Sequence, residues 1–354
     1  MATIYDIARM ANVSAMTVSR VINKTGRVSE KTRVKVQKVM DELHYIPNSV
    51  ARCLVTQESK IISLLVPNIC HPFYTTIARG AEDAAHEKGY QLLLGNSDEN
   101  LLKERQYVEM ILSMKVDGVL FAASSDLSAE HLRMLEQRNV PYVLLDREVA
   151  GLHADAVIGD SRTGTRSMIA SLIEMGHTRI GFINGDDQVS TARERRAGYM
   201  EALVAAGLPV EERLMITASL QEEDQQLLAP WFSDHPSNEQ PTAVFAASYI
   251  QALSIVKEAR RLGLRIPEDL SIVCFDELGC MEELNPFLSI VSQPAYEFGK
   301  LGFKMLHERI KDRKLPARRE QLPCEIKIRS SVGSPTHDSR ADVHSLPIAA
   351  LRSM

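Results

Sequence analysis

The chain has 354 residues, 45% of them hydrophobic and 25% charged, with a formal net charge of −5. That length predicts two or three domains on a prior of ~150 residues each, and no run of ~18 apolar residues is present to span a membrane. Five scattered cysteines, Cys53, Cys70, Cys274, Cys280 and Cys324, form no CxxC pair, which argues against a zinc site and for free thiols in a reducing cytoplasm, and the polar N-terminus does not read as a secretory leader.

In chain order, Thr3 to Asn23, TIYDIARMANVSAMTVSRVIN, predicts two short helices around a tight turn. Ile4, Ile7, Ala8 and Ala11 recur at helical spacing, and Thr3 with Asp6 three residues on makes a capping-box start. After Asn12-Val13, Ser14 caps a second helix that sets Val18, Val21 and Ile22 on one face and leaves Ala15, Met16, Ser19 and Arg20 outward. Ser29 caps a third helix with Val36, Val39, Met40 and Leu43 in one stripe. A polar helix face of this kind fits the major groove of DNA. A plain helical bundle with a solvated Arg20 is the alternative for this stretch alone. Pro47 then stops the third helix, and Asn48 caps one more short helix with Val50, Ala51 and Leu54. Ten Lys or Arg against five Asp or Glu give residues 1–60 a charge of about +5, leaving about −10 on the rest. Only this first segment is electrostatically suited to DNA.

From Ile61 the pattern changes to short apolar runs alternating with amphipathic helices. Residues 61–67, 91–97, 118–123 and 142–146 read as strands, with helices near 74–88, 100–114 and 128–138 between them. A second series follows at 179–185, 214–219, 243–248 and 270–276. This alternation predicts βαβ units and two similar doubly wound parallel-sheet subdomains.

Ligands of such sheets sit beyond the carboxyl ends of the strands, and two sheets facing each other define a cleft. One side supplies His71, Phe73, Tyr74, Asn96, Ser97 and Asp98, with Asp146 and Arg147. The other supplies Asp186, Arg195, Ser248 and Asp276, with Gln293 on a later crossing segment. Flat aromatics beside carboxylate, guanidinium and amide groups suit a sugar, whose hydroxyls need paired donors and acceptors while its CH face packs on a ring. Each of these polar residues taken singly also reads as a cap of the next helix. Catalysis is rejected: GxSxG, GxxxxGK[ST], HExxH and GxGxxG patterns are all absent, and no cofactor is implied.

The run DIARMANVSAMTVSRVIN, then VSEKTR, then YIPNSVARCL, resembles the headpiece and hinge of the LacI/GalR family of bacterial transcription regulators, and the resemblance extends over nearly the whole chain. It implies a helix-turn-helix headpiece over 1–46, a hinge helix and linker over 47–60, and an effector-binding and dimerisation core over 61–333 that is like periplasmic sugar-binding proteins. In family members the second helix lies in the major groove, which places Ala15, Met16 and Arg20 at base-reading positions, Arg20 able to contact guanine bidentately. Thr3 belongs to the same DNA-facing set, and Tyr5, Ser14, Ser19, Asn23, Ser29, Thr32 and Asn48 match positions that hold phosphates or flanking bases. Ala51 and Leu54 match the hinge lever that wedges into the minor groove. A hinge helix this short should form only when DNA and a second subunit hold it.

In the core, the resemblance places Arg195 of RERRAGY and Asp276 of SIVCFDE at effector-contacting positions. The segments from PFYTTIARGAED to GYQLLLGNSDE, and QPAYEFGK, look most like ribose-type members, so a pentose is the first expectation. Two departures bear on it: His71-Pro72-Phe73-Tyr74 stands where Asn-Pro-Phe-Phe is usual, and Ser248-Tyr249 where Asn-Asp is usual. Another sugar, a sugar acid or a phosphorylated sugar stays open. The expected protein is a cytoplasmic homodimer on a pseudo-palindromic double-stranded operator, a repressor of carbohydrate genes whose DNA affinity is switched by the effector, as inducer or co-repressor. The alternative is a catabolite regulator set by a phosphorylated phosphocarrier protein, although 277–294 lacks a basic residue to meet a phosphoserine. The stretch from Ser334 reads as a mobile tail without the heptads of a tetramerisation helix.

Overall fold

The computed structural model describes residues 2–23, 25–45, 58–219, 226–233, 236, 239–276 and 286–335. The chain divides into two compact units, residues 1–60 with 115–117, and residues 61–114 with 118–354. The expected hinge, with Asn48, Ala51, Leu54 and Cys53, lies outside the described residues up to position 57, as does the expected tail from 336.

In the first unit, α1 (Ile4–Met10), α2 (Ala15–Ile22) and α3 (Glu30–Glu42) close around Ile7, Ala11, Val18 and Val36, all fully buried. Val39 and Met40 complete this core and Leu43 packs against it, so the stripe expected for the third helix faces inward. Asp117 takes the backbone N–H groups of Ser59 and Lys60 and the Ser59 hydroxyl at 2.7 to 3.0 Å.

The second unit holds two six-stranded sheets. The first is ordered β11-β5-β4-β3-β1-β2, from β1 (Ile61–Val66), β2 (Gln91–Asn96), β3 (Gly118–Phe121), β4 (Tyr142–Leu145), β5 (Asp155–Gly159) and β11 (Arg319–Leu322). The second is ordered β12-β10-β9-β8-β6-β7, from β6 (Ile180–Asn184), β7 (Met215–Thr217), β8 (Ala243–Ala246), β9 (Ser271–Phe275), β10 (Ser289–Ser292) and β12 (Glu325–Lys327). All strand pairs are parallel except β10 with β12. The eight strands expected from apolar runs are present, each with a described span shorter than the run that predicted it. The other four, β5, β10, β11 and β12, were not anticipated. The last two are edge strands of three or four residues with little apolar content, which leave no periodic signal.

Helices α4 (Pro72–Glu87), α5 (Leu101–Met114) and α6 (Ala129–Gln137) connect strands of the first sheet, α7 (Ser161–Glu174) leads from the first sheet to the second, and α8 (Ser190–Ala205), α9 (Ala229–Phe232) and α10 (Tyr249–Arg261) connect strands of the second. The subdomains are not simple sequence halves. After β10 the chain returns through α11 (Ala295–Lys311), which packs on α4 and on β3 to β5 of the first sheet, before β11 and β12 close one sheet each. Three segments therefore cross between subdomains, near residues 160, 293 and 323.

The α4–α11 crossing depends on two glycines. A Cβ on Gly80 would lie 2.1 Å from the Tyr296 carbonyl oxygen, and one on Gly299 would lie 2.0 Å from that of Ile77. Backbone meets backbone there, and neither oxygen can rotate away as a side chain would. Gly299→Ala is expected to lower stability by about 1–3 kcal/mol, read as a shift in the urea midpoint; an unchanged midpoint would show that the two helices separate at little cost.

Candidate functional site

In the headpiece, local hydrogen bonding sets the helix starts. Thr3 Oγ1 accepts the Asp6 N–H at 3.3 Å while the Asp6 carboxylate accepts the Thr3 N–H at 2.9 Å. Ser14 and Ser29 accept the N–H groups of Thr17 and Thr32 at 3.1 and 3.2 Å. Three residues expected to face DNA are thus helix caps as well. Asn12, at φ 48°, turns the chain between α1 and α2.

Arg20 and Met16 are exposed on α2, Met16 by 65%, and Tyr5 on α1 is 69% exposed. Met10 on the same helix as Tyr5 and Val34 on α3 are exposed as well, so four large apolar side chains of this small unit lie in water. Ala15, expected to point outward, is half-buried and packs against the headpiece core. Its place in the first turn of α2 turns its small side chain toward the other helices. Ser19 is also half-buried and accepts a hydrogen bond from Asn23 Nδ2 at 3.2 Å. Thr32 is half-buried beside its Ser29 cap, at 2.8 Å between hydroxyls.

In the second unit, His71, Phe73, Tyr74, Asp146, Arg147, Arg195, Ser248 and Asp276 line one pocket between the subdomains, joined by Thr191 and Ala247. Gln293 lies beside it, in an adjoining cavity of about 230 Å³ that shares Phe73 and Asp276. All nine of these residues expected in the cleft meet at this place. Asn96 and Asp98 instead bond each other at 2.6 Å, Ser97 faces Ser124, and Asp186 caps the turn at Gln188.

The two sides are built alike. Asp146 follows β4 with φ 65°, and Asp276 follows β9 with φ 72°. Each donates its N–H to the neighbouring strand at 2.9 Å, to Val157 and Val291 respectively. The left-handed turn aims both carboxylates inward. Tyr74 donates its hydroxyl to Asp146 at 2.8 Å, and Gln293 Nε2 donates to Asp276 at 2.8 Å. Burial pushes the Asp146 carboxyl above its usual range, against the pull of Arg147 and Arg195.

The guanidinium groups are held firmly. Arg147 grips Glu99 in a bidentate pair at 2.8 and 2.9 Å and donates to the carbonyls of Ala123 and Ser124. Arg195 donates to the Ala247 carbonyl at 2.8 Å, lies 3.8 Å over the Phe275 ring, and comes within 3.9 Å of Asp276. His71 Nδ1 accepts the Phe73 N–H, which places the ring proton on Nε2. Burial, with Arg195 and Arg147 nearby, drives its pKa down to about 3, so the ring is a neutral donor. The His71 ring meets Tyr249 of the other subdomain edge-on at 4.8 Å.

Hydrogen-bonding capacity is left over at the centre. Asp146 Oδ1, Arg147 Nε, Arg195 Nε and Gln293 Oε1 are buried without a hydrogen-bond partner among the described residues. Such groups are costly unless something satisfies them. The pocket offers about 20 Å³, room for roughly one water, so a larger guest requires the subdomains to part. Glu99, Thr191 and Tyr249 belong to this surround and were not among the expected site residues. Glu99 sat in an acidic run with no feature of its own, whereas Tyr249 had been visible as a departure from the family pattern.

Residues 3–48 match the family described as bacterial regulatory proteins, lacI family, and residues 169–332 match a periplasmic binding protein-like domain. The ribose operon repressor of Bacillus subtilis (strain 168) is 38% identical over 324 residues, covering 91% of this chain and 96% of that one. The HTH-type transcriptional repressor PurR of Photobacterium profundum is 34% identical over 333 residues, covering 94% and 99%. The solved lac repressor dimer bound to operator and the anti-inducer ONPF aligns with a TM-score of 0.77 at 25% identity, covering 94% of this chain and 99% of that one. Helix-turn-helix headpiece, paired parallel-sheet subdomains and end-to-end similarity to repressors converge: the chain belongs to the lacI family of bacterial regulatory proteins and is a DNA-binding transcriptional regulator, not an enzyme.

Proposed function

We propose that this regulator is a homodimeric repressor of carbohydrate genes, and that a small polyhydroxylated effector in the cleft, a pentose first, sets its affinity for a pseudo-palindromic operator. The observation that carries this reading is the ring of unsatisfied buried donors and acceptors on Asp146, Arg147, Arg195 and Gln293, supplied by both subdomains. A polyol meets such a ring with hydroxyls that donate and accept, and the flanking rings of Phe73 and Tyr74 suit its CH face. Similarity to a ribose operon repressor supports the same class.

Contacts from both sides make ligand binding depend on how the subdomains are set. A ligand that favours one setting shifts the population of that state by its differential affinity, and about 10⁴-fold, or 5.5 kcal/mol, takes a two-state system from mostly one form to mostly the other. Two sites in a dimer share that requirement. The dimer is supported by an apolar face on the edge strand β2 and helix α5, where Leu94, Leu102, Met110 and Met114 are 43%, 74%, 38% and 44% exposed. In the headpiece, Arg20 reads bases, Met16 offers apolar contact, and the capped helix starts with Tyr5, Ser19 and Asn23 hold the backbone. The hinge residues Asn48, Ala51 and Leu54 are assigned to the centre of the operator on family resemblance.

Arg20→Ala is expected to weaken binding to an operator selected from random duplexes by ~1–3 kcal/mol per half-site with sugar binding unchanged; full operator affinity would remove Arg20 from base reading. Asp276→Asn keeps the shape and the Gln293 bond but not the charge. It is expected to abolish the effector response while operator binding persists, and an intact response would place the ligand elsewhere. A phosphorylated phosphocarrier protein that shifts operator affinity while a sugar panel does not would favour the catabolite-control alternative.

A further inference from the structure

Beyond the lining of the pocket, the two subdomains are joined at their rim by a second set of contacts built around Asp126. Asp126 lies in a short turn after β3 of the first subdomain. Arg193, near the start of α8 in the second subdomain, reaches its carboxylate with both terminal nitrogens, at 2.7 and 3.3 Å. The Asp126 N–H donates to the Gln188 carbonyl at 2.9 Å, again across the cleft. A neighbouring bond repeats the pattern: the Glu148 N–H donates to Ser190 Oγ at 2.9 Å. The Ala150 N–H at 3.0 Å holds the Asp126 carboxylate in place from its own side.

These groups differ from the pocket residues in one respect that matters. The ion pair is partly in water, with side-chain exposures of 39% for Arg193 and 25% for Asp126, so it can break and re-form without stranding a buried charge. The charges around Asp146 and Asp276 are instead paired on their own sides, Arg147 with Glu99 and Asp146, and Arg195 with Asp276. With room for only about one water between Asp146 and Asp276, a sugar bonded to both sides needs the subdomains to part, and the rim contacts span the gap that must widen.

We propose that Asp126 and Arg193, with the paired backbone bonds to Gln188 and Ser190, form a clasp that sets the balance between closed and open clefts. They are positioning residues for the switch and do not touch the ligand. Loosening the clasp raises the open population, lowers the apparent affinity of any ligand that needs the closed form, and moves operator affinity in the direction opposite to that ligand's effect.

The test uses the full-length protein and does not depend on the effector's identity. Amide hydrogen exchange is followed at Asp126 and Glu148, whose N–H groups are the cross-cleft donors, in wild type, Arg193→Gln and Asp126→Asn. Both variants are expected to exchange these amides about tenfold faster while those of β1 keep their wild-type rates. D-ribose is the probe in a parallel titration, where apparent affinity should fall about threefold or more in Arg193→Gln. Unchanged exchange at Asp126 and Glu148 overturns the clasp, whatever ribose does. The titration arm rests on the pentose reading, and the two fail separately: faster exchange with no ribose response in the wild type upholds the clasp and refutes that reading alone.

Discussion

The cleft is organised by the cost of placing charge away from water. Three carboxylates, Glu99, Asp146 and Asp276, share a largely dry space with the guanidinium groups of Arg147 and Arg195, and each charge stays there only because a partner meets it. Asp146 and Asp276 reach this position through left-handed backbone, a conformation that costs on the order of 1–3 kcal/mol at a non-glycine residue. Two equivalent turns with the same strain, one per subdomain, make the site a meeting of two like halves. The polar bonds of each half are made on its own side, while Asp146 Oδ1, Arg147 Nε and Arg195 Nε are left over where the halves face each other, so the site depends on a guest that bonds to both.

That dependence connects chemistry to motion. Gln293 stands on a segment that crosses between subdomains, donates to Asp276, and sets its side-chain oxygen where a Cβ on Gly159 would come within 1.8 Å. Gly159 ends β5 just before another crossing. A guest that changes the hydrogen bonding of Asp276 therefore acts on two of the three crossing strands through one amide. The rim contacts at Asp126 act on the same movement from the open edge, while the glycine-tight α4–α11 pair keeps the first subdomain a single body on which those movements turn.

The headpiece was legible in the sequence because its determinants are local: capping residues at fixed offsets and apolar stripes of helical period leave little for tertiary contacts to decide. Ala15 was misplaced for the opposite reason, since a three-helix core draws even a first-turn alanine inward. In the core, eight strands announced themselves as continuous apolar runs, as buried parallel strands do. The edge strands β11 and β12 did not, because REQL and EIK gain strand character only from their neighbours. The return of α11 to the first sheet is likewise a non-local fact. Pocket residues were readable where strand ends met charged or aromatic side chains. Glu99 was not, because its role depends on Arg147 folding back across the sheet, and the Asp126–Arg193 pair joins residues 67 apart with no motif between them.

The most direct measurement of the central claim is operator affinity of the purified protein as a function of sugar concentration, across pentoses, hexoses, sugar acids and their phosphates, with thermal stability recorded on the same samples. The account predicts that at least one small polyhydroxylated compound raises the melting temperature and changes operator affinity over the same concentration range, in either direction. A panel in which stability and operator affinity are both unmoved by every such compound would contradict it.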